Sequence, residues 1–461
     1  MVEQALYWII GVGPYFATAI VLGLLIALAS PWLIKHPDRW LFFALIGFNL
    51  MPLTGGDPNG STFKQLTWGS LFVIGAFHAL RNENGRVSSP LKLIPVPLAI
   101  LILYALFSAS WSPAPLVSVK RAAELIGVLI VAIAIMRRMP PEQDVLDLLP
   151  APAGVFLLFG LLLAIIAPSI AFDSDHALKA MTSQKNTWGQ FSLLAAIVFV
   201  VAVLRGGRRL WLKALLLILC IISLFASRSM TSIISFFTLL GIALTWLLTA
   251  RARAAGWLLI AFVTCAALMA FLGYTIVNGQ MPFPHLLELF FEITGKSPTL
   301  TGRTFLWQLM LDQIRLHPWL GIGYGGFWIN NGDAAKMVIM HLNWGPPDQA
   351  HNGYIDVVNE IGIVGMGLLL LVFARHIANL ATIYRLGYRR LATFHAALMF
   401  SALEINYAES SFIRTTDFWW VLLSVSIVST HVRLLRLRQT ITMGSASNDI
   451  PNRVYGEGKC A

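Results

Sequence analysis

The chain has 461 residues, of which 57% are hydrophobic and only 12% are charged. A soluble globular domain carries about 25% charged residues, so this composition excludes an ordinary soluble protein. The formal net charge is +11, but the basic residues lie in short gaps between apolar runs. That distribution is typical of the charges that orient a membrane protein, and it argues against nucleic-acid binding.

Apolar segments long enough to cross a bilayer recur along the whole chain, and we predict roughly twelve or thirteen membrane-spanning helices. No basic stretch precedes the first segment, so we interpret it as a retained span and not a signal peptide. The segments are, in chain order, 6–29, 40–53, 66–80, 93–110, 117–136, 152–171, 187–204, 210–226, 230–249, 255–277, 353–374, 391–408 and 417–432.

These segments predict an all-α membrane bundle with no separate soluble domain. Residues 1–277 would form about ten spans, 278–352 one long loop, 353–437 the C-terminal membrane helices, and 438–461 a disordered cytoplasmic tail. Alternate gaps hold most of the basic residues, and the positive-inside rule makes those gaps cytoplasmic. The long loop then faces outward, and a loop of this length in a compact bundle is usually functional.

Several polar residues are predicted to share the outward face. Each has a structural explanation when it is taken alone: an arginine at a membrane interface, a solvated loop residue, or a packed histidine. Their convergence on one face, with few acids among them, favours a functional site instead. The candidates are Lys120, Arg121, Lys185, Asn186, Arg228, Arg303 and His351.

Such a cluster suits an anionic lipid head group, because arginine binds phosphate oxygens with two parallel hydrogen bonds. Histidine is a common general base near neutral pH. A diphosphate clamp beside a base is the equipment that glycosyl transfer requires. Two other interpretations are weaker. His341, Asp348 and His351 have no standard metal-binding spacing, and the Gly-rich segment 321–326 lacks the lysine of a phosphate-binding loop.

At this point the motifs resemble the O-antigen ligase and polysaccharide polymerase superfamily, particularly its exopolysaccharide polymerase branch. Each motif is short, and their order and placement make the likeness specific. They are Ser110-Trp111-Ser112-Pro113 with Lys120-Arg121, Lys185-Asn186-Thr187-Trp188-Gly189, Ser227-Arg228-Ser229, Thr301-Gly302-Arg303-Thr304 with Trp307, His317-Pro318 and Gly321-Ile322-Gly323, and His351-Asn352-Gly353-Tyr354 with Glu360-Ile361-Gly362 and Gly365.

The resemblance implies a metal-independent, inverting glycosyltransferase of the GT-C type with no cofactor. Its donor would be a glycan on undecaprenyl diphosphate at the periplasmic face of the bacterial inner membrane. By position, Arg228 and Arg303 would hold the donor diphosphate, and His351 would activate the acceptor hydroxyl. The other residues that would line the cavity are Arg121, Lys185, Asn186 and Asn352.

Three functions stay open at this stage. The chain could polymerise exopolysaccharide or O-antigen repeats, or it could be an O-antigen ligase that transfers the glycan to lipid A core. The third possibility is a glycan transporter or flippase, which would place charges near the midplane and often shows inverted repeats. The expected partners are the lipid-linked donor, an acceptor glycan, the bilayer, a chain-length regulator and a flippase, with no nucleic acid.

Overall fold

The computed structural model describes residues 36–50, 62–81, 90–250, 303–328, 335, 338, 347–415 and 417–446. Within these ranges the chain is almost entirely helical, and Phe172 pairs with Leu178 in an isolated β-bridge. The all-α prediction is therefore confirmed for the part of the chain that is described. Several predicted features lie outside the described residues, namely spans 6–29 and 255–277, loop residues 278–302, His341 and the tail from 447.

Each of the longer described helices except Arg303–Leu316, which lies in the predicted long loop, overlaps a predicted apolar segment. Helices α1 to α6 are Pro37–Leu50, Thr62–Leu80, Val96–Phe107, Pro115–Arg138, Pro150–Ile166 and Lys185–Leu204. Helices α7 to α12 are Leu210–Ala226, Met230–Ala250, Arg303–Leu316, Gly353–Arg385, Arg389–Ile405 and Phe418–Ala446. The last of these continues past residue 437, so the first part of the predicted disordered tail is helical.

Helix ends follow local sequence signals. Pro115 stands at the first position of α4, where a missing backbone N–H costs nothing, and Arg137 and Arg138 lie in its last turn, where they complement the helix dipole. Helix α9 runs from Arg303 to Leu316 and ends immediately before His317-Pro318, since a residue that precedes proline disfavours the helical conformation.

Four helices in the described part of the chain are long and apolar enough to cross a membrane. They are Val145–Ile166, Lys185–Leu204, Gly353–Arg385 and Phe418–Gln439. Large apolar side chains on other helix faces are left mostly exposed, among them Leu116, Ile165 and Leu204. A soluble monomer rarely exposes so many, whereas lipid contact explains them, so the chain is an integral membrane protein.

Helix α6 packs at the centre of the first group of helices. The Trp188 ring is fully buried, its indole N–H donates to Ser223 Oγ at 2.8 Å, and Ser223 Oγ lies 3.0 Å from Ser192 Oγ. A Cβ on Gly160 would collide with the same ring. Small residues and buried hydroxyls of this kind let membrane helices approach closely, which fixes the first turn of α6 against α7.

Helix α10 is interrupted at Gly362, whose backbone is non-helical at φ 70° and ψ −175°. The carbonyls of Asn359 and Glu360 accept from the amides of Ile322 and Gly323 at 3.0 and 2.8 Å. A Cβ on Gly362 would collide with the carbonyl of Trp319. The Gly-rich segment 321–326 is therefore a turn inserted into the break in α10, where it satisfies backbone groups that the helix leaves free.

The connection between α11 and α12 meets the start of α10 at one end of the bundle. We call this the site end and define it by His351, which precedes α10, and Glu409, which follows α11. The opposite end has its own buried polar contact, because His395 lies 2.9 Å from Asp144 Oδ1 and 2.6 Å from Ser426 Oγ. That contact ties the chain before α5 to α11 and α12.

Candidate active site

The loop after α11 is fixed to the chain around His351 by a network centred on Asn406. The Asn406 Oδ1 atom accepts from the amides of Ser411 and Phe412, both at 2.9 Å. The Gly353 amide donates to the carbonyls of Asn406 at 2.8 Å and Glu409 at 3.1 Å. Any Cβ at position 353 would collide with the Asn406 side chain, so the approach requires glycine there. This contact brings Glu409 beside His351.

His351 has a left-handed backbone conformation, with φ 50°. Residues other than glycine adopt this region rarely, and such strained positions cluster at functional sites. Its Nδ1 atom lies 3.2 Å from Glu409 Oε2. Because an ionised carboxylate only accepts hydrogen bonds, Nδ1–H is the donor. In the neutral ring the basic lone pair is then on Nε2.

Glu409 binds two further candidate residues through its other carboxylate oxygen. Asn186 Nδ2 donates to Oε1 at 2.7 Å, and Arg303 Nη2 donates to the same atom at 3.1 Å. Arg303 Nη1 also donates to the carbonyl of Ala408. The structure therefore brings His351, Arg303 and Asn186 together around one buried carboxylate.

The surroundings of Glu409 keep it ionised. Burial raises the pKa of the carboxyl group, but the hydrogen bond from His351 and the charge of Arg303 outweigh burial, so the net pKa lies below the usual range of glutamate. Glu409 lies between the membrane-spanning helices α11 and α12, at the site end. At neutral pH Glu409 thus carries a negative charge, which pairs with Arg303.

This depressed pKa predicts how stability depends on acid. A carboxylate with a lowered folded-state pKa stabilises the fold above its unfolded pKa and loses that contribution as pH falls through the folded value. We expect wild type to have a higher thermal unfolding temperature than Glu409→Gln at pH 7, and the difference to shrink below about pH 4. The control is Glu142→Gln, which changes an exposed carboxylate. A wild-type advantage that stayed constant with pH would contradict the role of the charge.

Lys185, at the start of α6, and Arg228, just after α7, both bind the loop that precedes α6. Lys185 Nζ is 2.8 Å from Asp175 Oδ2 and 3.4 Å from Asp173 Oδ2. Arg228, which also has a positive φ of 50°, donates from Nη1 to the backbone carbonyl of Asp175 at 2.8 Å. Lys185 and Asn186 are adjacent in sequence, so the first turn of α6 links this pair to Glu409. The pair therefore borders the group formed by His351, Arg303, Asn186 and Glu409, which we call the His351 group.

A cleft of about 450 Å³ opens beside the same loop. It is lined by Pro168, Ser169, Phe172, Asp173, Ser174 and His176. Because Asp173 pairs with Lys185, the cleft lies on the side of Lys185 and Arg228, and His351 is not part of its lining.

Arg121 and Asn352 have mainly structural contacts. Arg121 Nη1 lies 3.7 Å from Glu360 Oε1, and the other oxygen of Glu360 accepts from the Gly325 amide at 3.0 Å. This pair supports the Gly-rich turn and forms a second cluster. Asn352 caps α10, since its Oδ1 atom accepts from the amides of Tyr354 and Ile355 at 3.1 and 3.2 Å.

The expectation that few acids accompany the outward cations is wrong. Within the described residues, Lys185 pairs with two aspartates, three arginines pair with one carboxylate each, and Arg228 binds a backbone carbonyl. These pairs are Arg121–Glu360, Arg303–Glu409 and Arg414–Asp356. A cation that is buried even in part must be paired or neutralised, and the partners come from segments distant in sequence.

Sequence reasoning missed Glu409 and Asp356. Asp356 accepts from Trp328 Nε1 at 2.9 Å and from the Ala350 amide at 3.0 Å, so it fixes the backbone one residue before His351. The sequence did offer a signal for each. Asp356 is an acid beside the predicted histidine motif, and Glu409 is an acid in the short connection between two outward helix ends. The described residues contain no group of three or more His, Cys, Asp or Glu side chains suited to a metal ion.

Comparison with known proteins finds relatives of one kind. The sequence model of the O-antigen ligase family matches residues 215–370, which include Arg228, Arg303 and His351. The chain is 26% identical over 278 residues to the exopolysaccharide production protein ExoQ of Rhizobium meliloti, covering 59% of this chain and 61% of that protein. The resemblance to the O-antigen ligase and polysaccharide polymerase superfamily is confirmed. Glu409 and Asn186 lie outside the matched region of the O-antigen ligase family.

A candidate polysaccharide ligase of Rickettsia conorii is also similar, at 23% identity over 283 residues, covering 58% of this chain and 62% of that protein. The matches thus span about three fifths of the length of these relatives. One relative is named for exopolysaccharide production and the other as a ligase.

Proposed function

We propose that this chain is a membrane glycosyltransferase that joins glycan units carried on a lipid diphosphate, with polymerisation of exopolysaccharide or O-antigen repeats as its activity. The observation that carries the proposal is the convergence of His351, Arg303 and Asn186 on Glu409. A base, a carboxylate that orients it and an arginine are thereby held within one group of contacts. The family resemblance supplies the class of substrate.

His351 acts as the general base. Glu409 accepts from Nδ1–H and holds the ring in the tautomer whose Nε2 atom takes a proton. Nε2 removes the proton of an acceptor hydroxyl as its oxygen attacks the anomeric carbon of the donor sugar. The bond between that carbon and the diphosphate oxygen breaks, and the electron pair leaves with the diphosphate. Attack opposite the leaving group inverts the anomeric centre.

Arg303 and Arg228 stabilise the departing diphosphate. The Arg228 side chain is exposed and donates to a neutral backbone carbonyl, so that contact leaves its positive charge uncompensated. Arg303 is anchored by Glu409 and Ala408, and its guanidinium has further N–H groups with which to bind the donor. Charge stabilisation of a leaving group by preorganised donors is often the largest single catalytic contribution.

The donor we propose is an undecaprenyl-diphosphate-linked repeat presented at the periplasmic face of the inner membrane. The positive-inside distribution of basic residues supports the outward placement of the site end. A flippase that delivers this donor and a chain-length regulator are the partners that the reaction would need.

The first substitution that tests the donor role is Arg303→Lys. Lysine keeps the charge but cannot bind both Ala408 and Glu409 while offering a planar fork to phosphate. We expect transfer to fall by about tenfold to a hundredfold. The matched control is Arg315→Lys, which changes an exposed arginine at the end of the same helix. Equal activity of Arg303→Lys and wild type would remove Arg303 from the donor site.

The proposed function is tested with the purified full chain in nanodiscs, supplied with lipid-linked repeat units alone. A ladder of longer lipid-linked glycans supports polymerisation. Transfer that occurs only after lipid A core is added supports the ligase alternative. No product in either reaction would contradict the glycosyltransferase proposal.

Each reaction is repeated with EDTA, and we expect activity to survive, since arginines take the place of a metal ion in this proposal.

A further inference from the structure

Two aromatic side chains flank the His351 group and have no part in the chemistry described above. Trp307 lies one turn after Arg303 on α9, and Tyr407 lies two residues before Glu409. Their ring centroids are 5.8 Å apart, and the ring planes meet at 73°. The two rings therefore form an L-shaped surface beside the proposed base.

Trp307 and Tyr407 are each hydrogen-bonded to a residue that flanks His351. The Trp307 indole N–H donates to the carbonyl of Ala350 at 2.9 Å. Asn352 Nδ2 donates to the carbonyl of Tyr407 at 3.2 Å. Residue 350 thus holds the Trp307 ring, and residue 352 holds the backbone of Tyr407, so both aromatic residues are attached next to His351.

The Tyr407 side chain is 61% exposed, although the neighbouring residues Asn406 and Glu409 are buried. Trp307 is half-buried, and its polar N–H group is already satisfied. Packing therefore does not account for an open aromatic face at this place. A ligand with an apolar face and polar edges would complete the surface.

We propose that Trp307 and Tyr407 form the subsite for the terminal hexopyranose of the acceptor glycan. The C–H face of a sugar ring stacks on Tyr407, and the edge of the ring abuts Trp307. One of the sugar hydroxyl groups is then directed at the His351 group, whose base requires an acceptor hydroxyl. This inference rests on the proposed function and adds the residues that recognise the substrate.

The competing occupant is the lipid head-group region, where exposed tyrosine and tryptophan side chains are common. Trp319, at 68% exposure, is a matched control because it is also an open aromatic side chain next to α10. A role in membrane anchoring predicts similar effects for Tyr407→Ala and Trp319→Ala. A sugar subsite predicts that only Tyr407→Ala and Trp307→Ala change acceptor recognition.

The test uses the full chain in nanodiscs with saturating lipid-linked donor and a varied concentration of a soluble acceptor. The acceptor is the free oligosaccharide that mild acid releases from the same lipid-linked repeat. For Tyr407→Ala we expect the acceptor KM to rise about tenfold with little change in kcat. Tyr407→Phe keeps the ring and should retain most of the affinity. An unchanged KM for Tyr407→Ala, or an equal change for Trp319→Ala, would overturn the subsite.

Direct binding separates this inference from the proposed function. Saturation-transfer NMR with the same free oligosaccharide is applied to His351→Ala and to the double variant His351→Ala/Tyr407→Ala. Transfer of magnetisation to sugar C–H protons in the first and its loss in the second support the subsite without any turnover. Equal signals in both, or no signal in His351→Ala, would contradict the subsite, while a ladder formed by wild type would still support the transferase.

Discussion

His351→Ala is expected to abolish measurable glycan joining while leaving donor binding intact. A positioned general base contributes about 10²–10⁴-fold to a proton-transfer step, and the variant removes the only base that the account assigns to the acceptor hydroxyl. Arg228 and Arg303, which we assign to the diphosphate, are unchanged. This variant should therefore lose chain extension while it still binds the lipid-linked donor.

The matched control for this experiment is His317→Ala. His317 is an exposed histidine just after α9, and its described hydrogen bonds involve only its backbone. The His317→Ala variant should extend glycans at the wild-type rate. If His351→Ala also retained that rate, His351 would not be the base, and the strained backbone at this position would need another explanation.

Glu409→Gln is expected to reduce kcat by about 10²–10⁴-fold, nearly as much as loss of His351. Glutamine has a similar shape and can still accept from Asn186. It loses the charge that pairs with Arg303 and that favours protonation of Nδ1 in His351. A ring in the other tautomer presents a donor where the reaction needs a base.

Two comparisons distinguish this orienting role from a purely structural one. Glu409→Asp restores the negative charge and should recover part of the rate, and Glu142→Gln removes an exposed carboxylate and should have no effect. The dependence of kcat on pH should also change in Glu409→Gln. If Glu409→Gln lowered thermal stability but left kcat and its pH profile unchanged, the role of Glu409 would be structural only.

The sequence predicted the helices well because apolar runs and helix-ending residues are local signals. Helix α7 has the predicted bounds, and α9 ends where His317-Pro318 predicts. The break in α10 was not predicted. Glycine is tolerated within membrane helices, so Gly362 in an apolar run gives no local sign that the segment 317–323 will insert beside it.

The candidate site was predicted in part. The sequence identified Asn186, Arg303 and His351 as members of one outward group, and the structure joins them through Glu409. Glu409 was missed because its position depends on how α11 returns to the start of α10, and nothing local to residues 406–410 encodes that contact. A search for cations also overlooks the carboxylates that hold them in place.

The carboxylates that pair with the cations change the expected charge of the site. The sequence suggested a cavity with excess positive charge, whereas Arg121, Lys185 and Arg303 each pair with an acid. Pairing fixes the direction of each guanidinium or ammonium group before substrate arrives. A preorganised site of this kind stabilises charge that develops during the reaction more effectively than mobile cations do.

Release of undecaprenyl diphosphate by purified wild-type protein in nanodiscs distinguishes a transferase from a transporter. Every bond that a transferase forms must liberate one lipid diphosphate, whereas a transporter moves the intact donor and liberates none. We predict that free undecaprenyl diphosphate accumulates in step with glycan lengthening and that His351→Ala releases none. Movement of intact lipid-linked glycan across the nanodisc or a vesicle membrane without diphosphate release would contradict the account and indicate a transporter.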